Sequence, residues 1–137
     1  MTTSTSTRTT KAWQEADSRH FLHPFTDHKS LTAKGARVIT RAEGIYVWDT
    51  DGHKILDAMS GLWCVNVGYG QQALIDAATS QLKELPFYNA FFNTATPPAI
   101  ELAELLADVA PPGFRHFFFS SSDSESNDTN VRIVHRY

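Results

Sequence analysis

The sequence predicts an α/β chain: a small antiparallel meander, then helices, then a strand that turns into a helix. Three observations carry that reading. Between Arg37 and Leu56 the apolar residues alternate with period two, in short runs separated by Glu43-Gly44 and Asp51-Gly52. From Gln71 and again from Pro97 the apolar residues recur at helical spacing. At His116 an apolar run passes directly into a serine-rich stretch and a second helical pattern.

In chain order, residues 1–12 begin MTTSTSTRTT and read as a Ser/Thr-rich disordered tail. It has no apolar stretch and so cannot be a secretory signal, while the absence of acid before Glu15 leaves a transit peptide open. Residues 13–70 form the first region. Trp13–Phe21 is expected to be a short helix ended near Pro24, and Leu22–His28 a loop carrying His23 and His28. The runs Arg37–Arg41, Ile45–Trp48 and Lys54–Leu56 are expected as strands, and Asp-Gly is a strong hairpin signal. The glycines at 61, 68 and 70 permit backbone conformations that side chains forbid.

Residues 71–137 form the second region. The helix Gln71–Leu85 carries Leu74, Ala77, Ala78 and Leu82 on one face, and Pro86 stops it. An aromatic loop, Phe87 to Phe92, follows. Thr96-Pro97-Pro98 opens a helix with the stripe Leu102, Leu105, Leu106 and Val109, closed by Pro111-Pro112-Gly113. His116–Ser120 is expected as a short apolar strand. Asn127–Tyr137 is helical and stops without glycine, proline or polar cap, which predicts a chain that is cut rather than finished.

Composition excludes several functions. A net charge of −3 and no long basic run speak against a nucleic-acid or anionic-membrane partner. No apolar run is long enough for a bilayer span, and the expected compartment is cytoplasmic. A single cysteine, Cys64, rules out an intrachain disulfide. With no cationic neighbour, Cys64 is expected to be an inert, buried thiol. His20, His23 and His28 match no standard ligand spacing, and no metal site is assigned.

The stretch richest in chemistry is Ser120–Asp128. A helix N-terminus presents unpaired N–H groups and the positive end of the helix dipole, which suits a phosphate. Ser122-x-x-Glu125 is equally a capping box that merely starts a helix. Asp123 opposes an anion there: at 4 Å and an effective dielectric of 20 the repulsion is about 4 kcal/mol. Trp63, Phe91 and Phe92 fit either an apolar pocket wall or plain core.

Ordered motifs sharpen these alternatives. They are Phe25-Thr-Asp, Glu43-Gly-Ile-Tyr-Val-Trp-Asp-Thr-Asp-Gly, Leu56-Asp-Ala-Met-Ser-Gly-Leu-Trp-Cys-Val-Asn-Val-Gly-Tyr-Gly, Tyr88-Asn-Ala-Phe-Phe and Phe118-Phe-Ser-Ser-Ser-Asp-Ser-Glu-Ser-Asn-Asp-Thr. Together they resemble the class III (omega) aminotransferases, in particular the omega-amino-acid–pyruvate branch. The similarity runs from about Phe25 to Tyr137 and covers about the first third of a family member. It implies the N-terminal part of a fold-type I transferase that uses pyridoxal 5′-phosphate, is homodimeric, and moves an amino group from an amine or omega-amino acid to pyruvate or another keto acid. By the same resemblance Ser122, Asp123 and Ser124 hold the cofactor phosphate, with Asp123 standing where relatives carry glycine. Trp63 lines the substrate pocket, and Phe91 and Phe92 reach toward the partner subunit's site. No catalytic residue is assigned, because the lysine that anchors the cofactor in relatives lies beyond residue 137. The chain itself is expected to be inactive. The rival readings are a non-enzymatic interaction or assembly module, and another phosphate-cofactor protein sharing only the serine turn.

Overall fold

The computed structural model describes residues 8–137. The expected tail therefore lies mostly outside the described residues. The chain divides into two compact units, one ending at Gln81 and the other spanning Leu82–Tyr137.

The first unit contains α1 (Thr10–His20), α2 (His28–Lys34), β1 (Ile39–Glu43), β2 (Tyr46–Asp49), β3 (Lys54–Leu56), the short turn α3 (Ser60–Trp63) and most of α4 (Gln72–Glu84). α1 starts at Thr10, earlier than Trp13, because the Thr9 hydroxyl caps it by accepting from the Ala12 N–H at 3.2 Å. α2 replaces part of the expected loop. Asp27 caps its start through the Lys29 N–H, and Gly35, with φ of 74°, ends it.

The expected meander is present. Its strand order is β1-β2-β3, and both pairings are antiparallel. β1 begins two residues later than the period-two run, with a register irregularity between Ile39 and Arg41. Tyr46 and Trp48 share one face of β2, where two cations cover them. The Arg41 guanidinium lies 3.6 Å over the Trp48 ring, and the Lys54 ammonium 3.9 Å over Tyr46. The β2–β3 turn is organised by Asp49, the one buried polar residue among those described. Its carboxylate accepts from the Asp51 N–H at 3.1 Å and the His53 N–H at 2.9 Å, and contacts His53 Nδ1 at 3.0 Å. Burial pushes this acid up, but those hydrogen bonds outweigh it and hold the pKa below the usual value.

The second unit holds the end of α4, then α5 (Pro97–Val109) and α6 (Asp123–Arg136). α5 starts and stops at the expected prolines, although the Thr96 hydroxyl makes no capping bond. The strand expected at His116–Ser120 does not form: those residues join no ladder among the described residues. An apolar run of that kind suits a buried parallel strand, but it becomes one only beside a partner strand.

No hydrophobic residue is buried among those described. Among the described residues, no helix is long and apolar enough to cross a membrane.

Candidate functional site

The serine-rich turn at the start of α6 is a formed helix N-terminus. The Ser122 hydroxyl accepts from the Glu125 N–H at 3.2 Å, which is one half of the expected capping box. The other half is displaced by one residue. The Glu125 carboxylate reaches back to the Ser121 hydroxyl at 2.7 Å and the Ser121 N–H at 3.0 Å. The Ser121 hydroxyl, and then its N–H, hold Glu125 below the usual carboxylate range, so it is charged at neutral pH. Ser120 bonds the Ser122 carbonyl at 3.0 Å and also meets the Ser126 hydroxyl.

Among the described residues, the donors of this turn left without a partner include the Ser122 N–H, the Asp123 N–H and the Ser124 hydroxyl. The Ser124 N–H is covered by the Asp123 carboxylate at 3.1 Å. Two N–H donors and a hydroxyl at the positive end of a 14-residue helix match a phosphate. Asp123 competes for one further donor, and a rotation about its side chain would release it. The donor set therefore fits a phosphate group, with the Asp123 carboxylate beside it on the Ser124 N–H.

The aromatic loop is held by its own polar residues. Asn89 Oδ1 accepts from the Phe91 N–H at 2.9 Å, and the Thr94 hydroxyl bonds the Phe91 carbonyl at 2.7 Å. Phe92 and Asn93 have φ of 57° and 65°, in the left-handed region. The loop presents Phe91 and Phe92 at 72% and 92% exposure, their rings 6.2 Å apart. They belong to the second unit, and are surface rather than core in this chain.

Trp63, in the first unit, is 82% exposed. It ends a turn in which Ser60, Gly61, Leu62 and Trp63 all have positive φ, at 49°, 59°, 64° and 66°. Left-handed backbone costs L residues other than glycine roughly 1–2 kcal/mol each. Asp57 holds the turn. Its carboxylate accepts from the Gly61 N–H at 2.8 Å, the Met59 N–H at 3.2 Å and the Tyr69 hydroxyl at 2.6 Å. Tyr69, and then the Gly61 N–H, lower the Asp57 pKa, while the Asp57 carboxylate raises that of Tyr69. Cys64 follows this turn and is exposed, not buried as expected. It stands directly after the left-handed turn, with no apolar side chain of a core to cover it among the described residues, and its thiol meets the Leu62 carbonyl at 3.4 Å. Sequence reading missed Asp57 and Tyr69. An aspartate two residues ahead of a turn, as Asp57 stands to Met59, was the available signal.

Two other features hold none of the predicted site residues. One cleft, about 750 Å³, is lined by residues such as Lys11, Glu15, Arg19, Leu31 and Lys34. Asp49, Asp51 and His53 bring one ligand atom each within 4.8 Å of one another, but the Asp49 oxygens are already engaged by the turn. His20, His23 and His28 form no such group among the described residues.

The family model for aminotransferase class-III matches residues 29–137. Over 128 residues the chain is 61% identical to a putrescine–pyruvate aminotransferase of Pseudomonas aeruginosa, covering 93% of this chain and 28% of that protein. An (S)-enantioselective omega-transaminase from Thermomicrobium roseum superposes with a TM-score of 0.90 at 40% identity, over 96% of this chain and 29% of that one. The omega-transaminase of Pseudomonas jessenii, in complex with PMP, superposes with a TM-score of 0.84 at 43% identity, over 88% of this chain and 27% of that one. The chain thus spans less than a third of the length of these relatives.

Proposed function

Because this chain belongs to the aminotransferase class-III family, we propose that it is the phosphate-holding and substrate-lining part of an omega-transaminase. The reaction moves the amino group of an amine or omega-amino acid to pyruvate or another keto acid. The observation that carries the reading is the serine turn with free donors at the α6 N-terminus, in a chain 61% identical to a putrescine–pyruvate aminotransferase.

Ser122 and Asp123, through their N–H groups, and Ser124, through its hydroxyl, would hold the phosphate of pyridoxal 5′-phosphate. When bound, that cofactor supplies the electron sink that loosens bonds at the amino-bearing carbon. Ser124 adds a charge-assisted hydrogen bond, and the α6 dipole favours the phosphate dianion. Trp63, Phe91 and Phe92 offer apolar walls for the carbon skeleton of the donor. A cytoplasmic homodimer is part of the same reading. None of Lys11, Lys29, Lys34, Lys54 and Lys83 stands in the family's lysine context, so the 137 residues by themselves leave the transfer undone.

The test is pyruvate-dependent alanine formation by the protein that carries this chain, with putrescine and an omega-amino acid as donors and added cofactor. Alanine is expected there, and none from the 137-residue chain alone. No alanine from either donor would overturn amino transfer, and alanine from the isolated chain would overturn the division of labour. The second reading, a non-enzymatic interaction module, is favoured by the exposed apolar side chains. It requires the first of those negative results.

A further inference from the structure

We propose that Asp57 and Tyr69 form a clamp that aims Trp63, acting as positioning residues for the substrate wall. This rests on the reading of Trp63 as part of that wall. Neither residue needs to touch the substrate, because both act through the backbone of the turn.

The turn requires such a device. Met59 and Cys64 have ordinary right-handed backbone, with φ of −96° and −101°, but the four residues between them are left-handed. Only one of the four is glycine. A conformation that three L side chains disfavour persists only where surrounding contacts over-determine it. Local backbone bonds supply part of this: the Trp63 N–H bonds the Met59 carbonyl at 2.9 Å, and the Cys64 N–H bonds the Ser60 carbonyl at 2.9 Å. These bonds close the turn without tying it to anything rigid.

The tie runs through the clamp. The Tyr69 backbone exchanges two hydrogen bonds with Gly44, at 2.7 and 3.1 Å, in the turn between β1 and β2. The Asp57 N–H bonds the Ile45 carbonyl at 3.0 Å, one residue further along. Both members of the clamp are therefore anchored to the meander by backbone before their side chains meet at 2.6 Å. The Asp57 carboxylate then fixes the Gly61 N–H, two residues from Trp63.

The two glycines fit this arrangement. A Cβ on Gly61 would stand 3.1 Å from the Tyr69 hydroxyl, and one on Gly68 would stand 2.9 Å from the Gly44 carbonyl. Small residues occur where the hydroxyl and the backbone pair must approach. The direction of Trp63 is thus referred to the sheet through Gly44, Tyr69, Asp57 and Gly61 in turn.

The experiment labels the 137-residue chain with 5-fluorotryptophan and records ¹⁹F spectra. The chain has three tryptophans, Trp13, Trp48 and Trp63, assigned by single Trp→Phe changes. Trp48 lies in β2 and reports the meander. Tyr69→Phe is expected to move the Trp63 resonance most of the way to its denatured position and to leave Trp48 unmoved. Asp57→Asn is expected to do the same, and the double change to add little. An unmoved Trp63 in Tyr69→Phe overturns the clamp, as does a wild-type Trp63 already at its denatured position. Should Tyr69→Phe also displace Trp48, the pair is compared in a Leu62→Gly background, where the turn is less strained. Trp48 restored with Trp63 still displaced supports the clamp; Trp63 at its wild-type position overturns it. The substrate role is read separately. If Trp63→Ala leaves donor-size preference unchanged in the transamination assay, the wall reading fails while the spectra still decide the clamp.

Discussion

The meander of residues 39–56 and the helices of residues 82–137 are held in different ways. In the meander, two antiparallel ladders, the Asp49-centred turn and the Arg41 and Lys54 cations over Tyr46 and Trp48 tie a short stretch of chain together. In the second unit, α5 and α6 satisfy only their own backbones, and Leu102, Leu105, Val109, Phe118 and Val131 stay exposed, as Ile39, Ile45 and Leu56 do in the meander. Helices complete their hydrogen bonds alone; an apolar face is completed only by another surface. The first region thus carries its own organisation, while the second carries a pattern that asks for cover.

The largest effect that would break this contrast is expected at Gly68. Its φ is +84°, and a Cβ there would meet the Gly44 carbonyl at 2.9 Å. Gly68→Ala should destabilise the first unit by about 3 kcal/mol, combining left-handed strain with the lost backbone pair. Urea unfolding followed by the ¹⁹F resonance of 5-fluorotryptophan at Trp48 measures it. A midpoint unchanged from wild type would show that the Gly44–Tyr69 pair does not hold the meander.

A pH series sharpens the contrast. Asp57 is lowered by the Tyr69 hydroxyl and Glu125 by the Ser121 hydroxyl, so each stabilises the folded chain above its unfolded value, about 4. Each contribution is lost as pH falls through the lowered folded value. Tyr69 is raised by the Asp57 carboxylate, with Cys64 as a lesser influence, so it stabilises below about 10 and loses that effect as pH rises through the raised value. Acid should therefore loosen both the clamp and α6, whereas alkali should loosen the clamp and spare the α6 capping turn. Circular dichroism for helix and the Trp63 signal for the clamp separate the two limbs. An alkaline transition that leaves Trp63 unchanged would contradict the assignment.

The difference between the regions also explains what was legible in the sequence. Period-two alternation with Asp51-Gly52, and helical stripes bounded by Pro86, Pro97 and Pro111, are local signals, and the structure realises them at nearly those positions. α2 was equally local, with Asp27 at its start and Gly35 at its end, and was readable by the same rule. His116–Ser120 was misread because an apolar run states a preference, while a strand needs a partner the pattern cannot name. The serine turn was legible as a helix start, since Ser122 and Glu125 lie within one turn. The clamp was not: Asp57 and Tyr69 are twelve residues apart, and only the fold brings their side chains together.

We propose that the Ser122–Ser124 turn is a phosphate site and not only a helix cap. Its most direct test is the dissociation constant of pyridoxine 5′-phosphate, which has no aldehyde to react with lysines, for wild type, Ser124→Ala and Asp123→Gly in one buffer and salt. Removing the Ser124 hydroxyl should weaken binding about tenfold or more, the equivalent of about 1.5–3 kcal/mol. Removing the Asp123 carboxylate should tighten it about fivefold, after solvent screening of a repulsion worth about 1 kcal/mol. The predicted order of affinity is Asp123→Gly, then wild type, then Ser124→Ala. Equal affinity for wild type and Ser124→Ala would rule out a phosphate site and leave the turn as a cap alone.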